Sequence, residues 1–452
     1  MNGDQDSLFG LDPADQKKLF SQFSMSEIGA AASEHERRRN IEAIPARFGQ
    51  FKELPEYKQM QVHALVTQKL DISNPFFLCH EQAAKASTRI GGKKFLNFST
   101  YDYIGLNGHP EVNAAAQEAM EHYGSSAGAS RLVGGERPPH AALEKALAEV
   151  YETAGAVVFV SGHATNVSTL TTLLGPRDAV YHDALAHNSL ILGAVFSGAA
   201  RYAYPHNDCA ALEALLHETR AKHERVVIAT EGLFGMDGSI AKLPELIALK
   251  RQHTCWLMVD EAHSLGVLGA TGRGSAEHFG VPFADVDIWM GTLSKTLCGC
   301  GGFIAGCEEL VMLLKFRAPG FVYSVGMPPP MAAASAKALE IMLREPWRTA
   351  RIQELSKFFL REATIRGLDT GHAEGYGIIP IIAGNSLVTG ILASRLFKRQ
   401  INVLPIIYPA VEEGMARLRF FLSSEHREED IITALDAVVE ELPKARKKAQ
   451  AH

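Results

Sequence analysis

Residues 255–263 read Cys255-Trp256-Leu257-Met258-Val259-Asp260-Glu261-Ala262-His263. Five apolar residues run without alternation and stop at a carboxylate. An unbroken run of that length is what a strand covered on both faces needs. Similar short runs recur at 156–160, 179–181, 225–229, 287–290 and 302–305, separated by helix-length patterns such as 138–151 and 243–253. This alternation predicts an α/β domain built on a mostly parallel sheet.

Outward from this core the texture changes twice. Near 316–330 the pattern breaks at Arg317-Ala318-Pro319-Gly320 and at Pro328-Pro329-Pro330. Helix patterns follow at 332–343 and 351–366, strand-like runs at 378–382 and 416–422, and a closing helix pattern at 428–442, which predicts a smaller α+β domain. Before residue 95 there are charge clusters, such as 34–39, and a helix-like patch at 57–70, without strand alternation. The organisation expected is a helical N-terminal arm over 1–95, a catalytic domain over 96–330 and a small domain over 331–452. Asp6-Ser7-Leu8 matches the attachment tripeptide of acyl carrier proteins and reads as coincidence.

The 452 residues include 45 Lys+Arg and 51 Asp+Glu, a net charge of −6, which makes no electrostatic case for nucleic acid. The longest apolar stretches, 376–384 and 403–411, are broken by Gly or Pro and fall short of the roughly 18 residues of a membrane helix. Early aspartates (Asp4, Asp6, Asp12, Asp15) argue against a signal peptide. Six scattered cysteines, with only Cys298 and Cys300 close together, give neither a zinc knuckle nor a redox pair. A reduced, cytoplasmic protein without a metal is the expectation.

In open α/β sheets ligands bind beyond the carboxyl ends of the strands, so the polar residues just after the apolar runs matter most. Asp260, with His263 three residues on, caps a turn or serves a ligand. Thr292-Leu293-Ser294-Lys295 follows the run at 287–290 and leads into a glycine-rich loop. A lysine there is either solvent-exposed or poised to hold an aldehyde cofactor as a Schiff base. Ser161-Gly162-His163 opens a helix whose free N–H groups suit a phosphate, and His187 lies near the same edge. Lysine, aspartate, imidazoles and a phosphate-ready turn on one sheet edge fit pyridoxal 5'-phosphate: the aspartate would keep the pyridine nitrogen protonated and the ring would accept electrons. No H-E-x-x-H occurs.

Residues 95–440 resemble the α-oxoamine synthase family of fold-type-I pyridoxal-phosphate enzymes. The blocks that carry the resemblance run in the family's order: 97–106, Ala129-Ser130-Arg131 with His140, His187-Asn188-Ser189, His206-Asn207-Asp208, 230–238, 259–266, 272–275 and 291–295. The resemblance implies a large domain with a seven-stranded, mostly parallel sheet. It implies Lys295 as the Schiff-base lysine and acid–base group, Asp260 on the pyridine nitrogen, His263 on the phenolic oxygen and His187 stacked on the ring. Gly162, His163 and Thr292 would surround the phosphate, and Ser324, after Tyr323, would reach the partner subunit's phosphate in a homodimer with shared active sites. Tyr101 and Asp102 would lie near the substrate.

Three departures stand out. Asp102 replaces the asparagine of serine palmitoyltransferases, and Gly235 replaces the serine of 8-amino-7-oxononanoate synthases. Ile407 occupies the place of an arginine that clamps the amino-acid carboxylate, leaving Arg419 or another cation for that task.

The activity implied is decarboxylative condensation of a small amino acid (alanine, serine or glycine) with an acyl thioester to give an α-aminoketone. The thioester is carrier-protein- or coenzyme-A-bound: no basic cluster for coenzyme A is evident, and the long N-terminal segment and the block 407–411 resemble versions that work beside carrier proteins, which favours an acyl carrier protein as donor. An aminotransferase on the same fold, or a silent subunit of a heteromeric acyltransferase, is the rival; intact Lys295, Asp260, His263 and His187 argue against the second.

Overall fold

The computed structural model describes residues 44–69, 72–83 and 85–451. Asp6-Ser7-Leu8 and the charge cluster at 34–39 lie outside them. The chain falls into two compact units, Met1–Asp71 and Ile72–His452. In the first, the helix Pro55–Lys69 begins on a proline, whose missing N–H costs nothing at that position, and carries Glu56 in its first turn and Lys69 in its last.

The second unit opens with a hairpin, β1 (Ser87–Ile90) and β2 (Lys93–Asn97), closed by a turn at Gly91 and Gly92, both with positive φ. The expectation of a helical arm as far as residue 95 is therefore corrected at its end. The hairpin escaped notice because its strands are short and exposed Lys93 and Lys94 mask the alternation that buries Phe95 and Asn97.

Seven strands form the main sheet: β3 (Gly155–Phe159), β4 (Ala179–Asp183), β5 (Ala200–Tyr204), β6 (Val226–Glu231), β7 (Trp256–Asp260), β8 (Ile288–Thr292) and β9 (Gly302–Gly306). Their order is β3-β9-β8-β7-β6-β4-β5, parallel except for β9, which runs antiparallel to both neighbours. The strand β5 had no apolar run to announce it, because it is a sheet edge where exposed Arg201 and Ala203 alternate with more buried residues.

Side chains alternate cleanly between two cores. Ile228, Leu257 and Val259 enter one core with Leu143 and Leu246. Val227, Ala229 and Met258 enter the other with Leu170 and Leu190. Glu231 and Asp260 share the parity of Ala229 and Met258, so both emerge on the face covered by the helix Gly162–Leu173.

The C-terminal part carries β10 (Ile378–Gly384), β11 (Ile401–Asn402), β12 (Leu404–Ile406) and β13 (Ala416–Phe421). An antiparallel sheet has the order β10-β13-β12, while β11 pairs in parallel with β2. The helix Ser386–Lys398 packs on all four strands and Trp347–Ile365 on β10, with Glu428–Gln450 against both helices, while Pro329–Arg344 packs on the helices Pro110–Tyr123 and Pro138–Val150. Among the described residues no helix is long and apolar enough to cross a membrane.

Candidate active site

The carboxyl ends of β3, β6, β7 and β8 surround a cavity of about 260 Å³. Its lining includes Gly162, His163, His187, Asp260, His263, Thr292 and Lys295, seven positions singled out from the sequence.

Asp260 ends β7 and is buried. Its Oδ2 accepts from Asn166 Nδ2 at 2.8 Å and its Oδ1 from the Ala262 N–H at 3.0 Å. Asn166 also donates to Ser189 Oγ at 2.9 Å, while its own Oδ1 is buried without a partner among the described residues. Glu231 stands beside Asp260 in register. Burial and the neighbouring Asp260 charge push the Glu231 carboxyl up to about 8, so the pair avoids two adjacent buried charges.

Lys295 lies in the loop between β8 and β9, with Nζ 2.7 Å from His263 Nε2. Burial disfavours its ammonium and lowers its pKa to about 8, against the opposing pull of Asp260 and Glu231. His263 faces Tyr103 OH at 2.7 Å through Nδ1. Burial, reinforced by Lys295, holds this imidazole well below its ordinary range.

His187 caps the helix Asn188–Ser197, its Nδ1 accepting from the Ser189 N–H at 3.3 Å, and its ring stays exposed on the cavity. The Ser161 hydroxyl caps the helix Gly162–Leu173 by accepting from the Ala164 N–H at 3.4 Å. The first N–H groups of that helix, at Gly162 and His163, have no intrahelical acceptor. A Cβ at residue 162 would come within 3.1 Å of Thr292 Oγ1, so glycine keeps this corner open.

A second cavity, about 360 Å³, meets the first at Ser294 and Lys295. Tyr101 and Asp102 line it, with His80, Asn107 and Cys298. The Tyr101 ring centre lies 5.5 Å from Lys295 Nζ. Asp102 is buried, and its Oδ1 accepts from the Leu106 and Asn107 N–H groups at 2.8 and 3.1 Å. Much of its work is therefore to fold the turn, which the sequence reading did not anticipate. Burial pushes its carboxyl up to about 6.

Arg419, on β13, donates through Nη1 to the Gly235 carbonyl at 2.8 Å, and its Nε is buried without a partner among the described residues. A Cβ at Gly235 would come to 2.4 Å from His263 Nε2, so the departure to glycine gives His263 its present seat. Ile407 follows β12 directly and is half-buried. Ser324 lies outside both cavity linings, beside Tyr323, which is 87% exposed.

Other motif residues serve the frame. Arg131 pairs with Glu136 and Glu144, and His140 Nε2 meets the Met327 carbonyl at 2.6 Å. His206 bridges Asp183 and Ser239. Asn166, Tyr103 and Glu231 were not read as site residues. Asn166 and Glu231 show themselves only once strand parity is known.

A family profile described as aminotransferase class I and II matches residues 93–438. The chain is 43% identical over 354 residues to an 8-amino-7-oxononanoate synthase of Geobacter sulfurreducens, covering 77% of this chain and 88% of that one. Among solved structures it is similar to Sphingomonas wittichii serine palmitoyltransferase (TM-score 0.82, 27% identity, 87% of this chain and 98% of that chain). It is likewise similar to a serine palmitoyltransferase holding pyridoxal phosphate (TM-score 0.83, 25% identity, 88% and 99%). The chain belongs to the aminotransferase class I and II family and, within it, to the α-oxoamine synthases, acyl-transferring enzymes that use pyridoxal 5'-phosphate. The first cavity fits that cofactor: it offers unpaired helix N–H groups for a phosphate, a buried carboxylate for a ring nitrogen and a lysine whose ammonium is disfavoured.

Proposed function

We propose that this α-oxoamine synthase joins a small amino acid (alanine, serine or glycine) to an acyl thioester, releasing carbon dioxide and a thiol and leaving an α-aminoketone. The observation that carries the reading is the meeting of two cavities at Lys295. One suits the cofactor and the amino acid; the other gives a second carbon substrate its own way in.

Asp260, held by Asn166 and the Ala262 N–H, would face the ring nitrogen, His187 the ring face and His263 the phenolic oxygen. Gly162, His163 and Thr292 would surround the phosphate. Bound there, pyridoxal 5'-phosphate supplies an electron sink for the amino-acid α-carbon. Lys295 would take and return the α-proton, and its lowered pKa makes the neutral amine available near neutral pH. Arg419 would face the amino-acid carboxylate with the donors that Gly235 leaves free, because Ile407 supplies no second cation.

Among the described residues, Lys295 is the only lysine or arginine lining the second cavity. The adenosine phosphates of coenzyme A call for several cations, whereas a carrier's arm brings one phosphodiester charge, at its protein end. This favours a carrier-bound acyl donor.

Exposed Leu132, Val133, Tyr323 and Val325 lie on two segments tied together by the Gly326 N–H to Ala129 carbonyl bond at 2.9 Å. A second copy of the chain packed on this patch would bring Ser324 toward its site, as a homodimer requires.

The test adds single amino acids to the cofactor-loaded protein while its visible absorbance is followed, then adds acyl thioesters and measures thiol and carbon dioxide. A saturable absorbance change with one small amino acid, followed by stoichiometric thiol and carbon dioxide, is expected. Oxo-acid formation without thiol would overturn the reading in favour of an aminotransferase.

A further inference from the structure

The second cavity receives a side chain from outside the span that the family profile covers. His80 precedes residue 93, where that match begins, yet it lines the same cavity as Lys295. Its Nδ1 is tied to Thr88 Oγ1 at 3.0 Å, and Thr88 is buried in β1. That bond fixes the ring and leaves Nε2 for the cavity, the arrangement that proton-transferring imidazoles share.

The other titratable groups of this cavity are placed differently. Lys295 stands at the boundary with the cofactor cavity, where the amino-acid α-carbon has to be. Asp102 accepts from two backbone N–H groups through Oδ1, and its Oδ2 is sealed from solvent. Burial and Asp102 push the Cys298 thiol up. Tyr101 presents its ring to Lys295 Nζ. Burial moves His80 in the opposite sense, below the ordinary imidazole value, so it gives up a proton readily.

We infer that His80 is the acid that protonates the departing thiolate, an assignment that rests on the condensation proposed above. The amino-acid α-carbon bonds to the thioester carbonyl carbon, the carbon–sulfur bond breaks and its electron pair leaves on sulfur. The proton on Nε2 passes to that sulfur, giving a free thiol and a neutral imidazole that solvent reprotonates.

The test uses the cofactor-loaded protein and two thioesters with one acyl group, an N-acetylcysteamine thioester and a thiophenyl thioester. His80→Gln should slow thiol release from the first about 100-fold and from the second only a few-fold, since an aryl thiolate leaves without a proton. Thr88→Val, which unties Nδ1, should show the same selectivity at roughly a tenth of normal rate, and it serves if the glutamine variant does not fold. Equal losses on both thioesters in either variant would assign His80 a merely structural role and overturn the inference. The amino-acid-dependent absorbance change should survive in both variants. A wild-type protein that shows this change but releases thiol from neither thioester would refute the condensation reading itself, and the inference with it.

Discussion

Lys295 Nζ and His263 Nε2 stand 2.7 Å apart, in a pocket where neither is easily charged. Burial disfavours the charged form of both, and the lysine beside it further opposes a proton on the imidazole, so the imidazole stays neutral and the lysine sheds its proton early. The whole site is poised by this pair.

The first expectation concerns that lysine. Its pKa is lowered to about 8 from 10.5, so capture of pyridoxal phosphate by cofactor-free protein should speed up as pH rises and level off above about 8. Stopped-flow absorbance reads this directly. A midpoint near 10 would contradict the burial account. Lys295→Ala should lose the visible band that borohydride bleaches, and thiol release should fall by about 10³-fold.

Gly235 is the second lever. Its missing Cβ makes room for His263 Nε2. Gly235→Ser should push the imidazole aside and cost about tenfold in condensation rate. If the clash is the cause, adding Gly235→Ser to a His263→Asn background should cost much less than in the wild type. Additive losses in this double-mutant cycle would point elsewhere.

Glu231 ties stability to pH. Its folded-state pKa is raised from 4.5 to about 8, so the folded protein holds a proton that the unfolded chain has released. The stability linked to that proton is complete below about 4.5 and is lost as pH rises through about 8. Glu231→Gln cannot titrate. The melting temperature of the cofactor-free variant should gain on wild type between pH 6 and pH 9, by roughly 2 °C or more. A gap that does not move with pH would exclude a raised Glu231.

Arg419 supplies the fourth. Ile407 stands where the family resemblance places the carboxylate arginine, so the proposed reading gives that task to Arg419. Arg419→Gln should raise KM for the amino acid by about 10- to 100-fold while KM for the thioester holds. A rise confined to the thioester would place the guanidinium on the acyl side.

Much of this was legible in the residues. Strands buried on both faces write themselves as apolar runs, so β3, β6, β7, β8 and β9 could be read, and with them Asp260 and Lys295 at strand ends. The edge strand β5 and the hairpin β1–β2 were not, because half-exposed strands mix polar and apolar residues much as loops do. The support of Asp260 by Asn166 depends on which face a strand's last residue takes and which helix covers that face. His80 was beyond reach, since its place at the cavity comes from a bond to Thr88 on a strand that could not be recognised.

The pairing of β2 with β11 has a consequence in time. Asn402 donates to Asn97 Oδ1 at 2.9 Å across 305 residues of chain, and the β-bridge between their strands is the hairpin's tie to the C-terminal part. A ribosome delivers Asn97 early and Asn402 near the end. Until then the hairpin that carries Thr88 lacks its third strand, while β3 to β9 are already in hand. The residues that line the first cavity, 161 to 295, have thus all been made while the wall bearing His80 still waits for its last strand, so the two cavities are completed at different moments of synthesis.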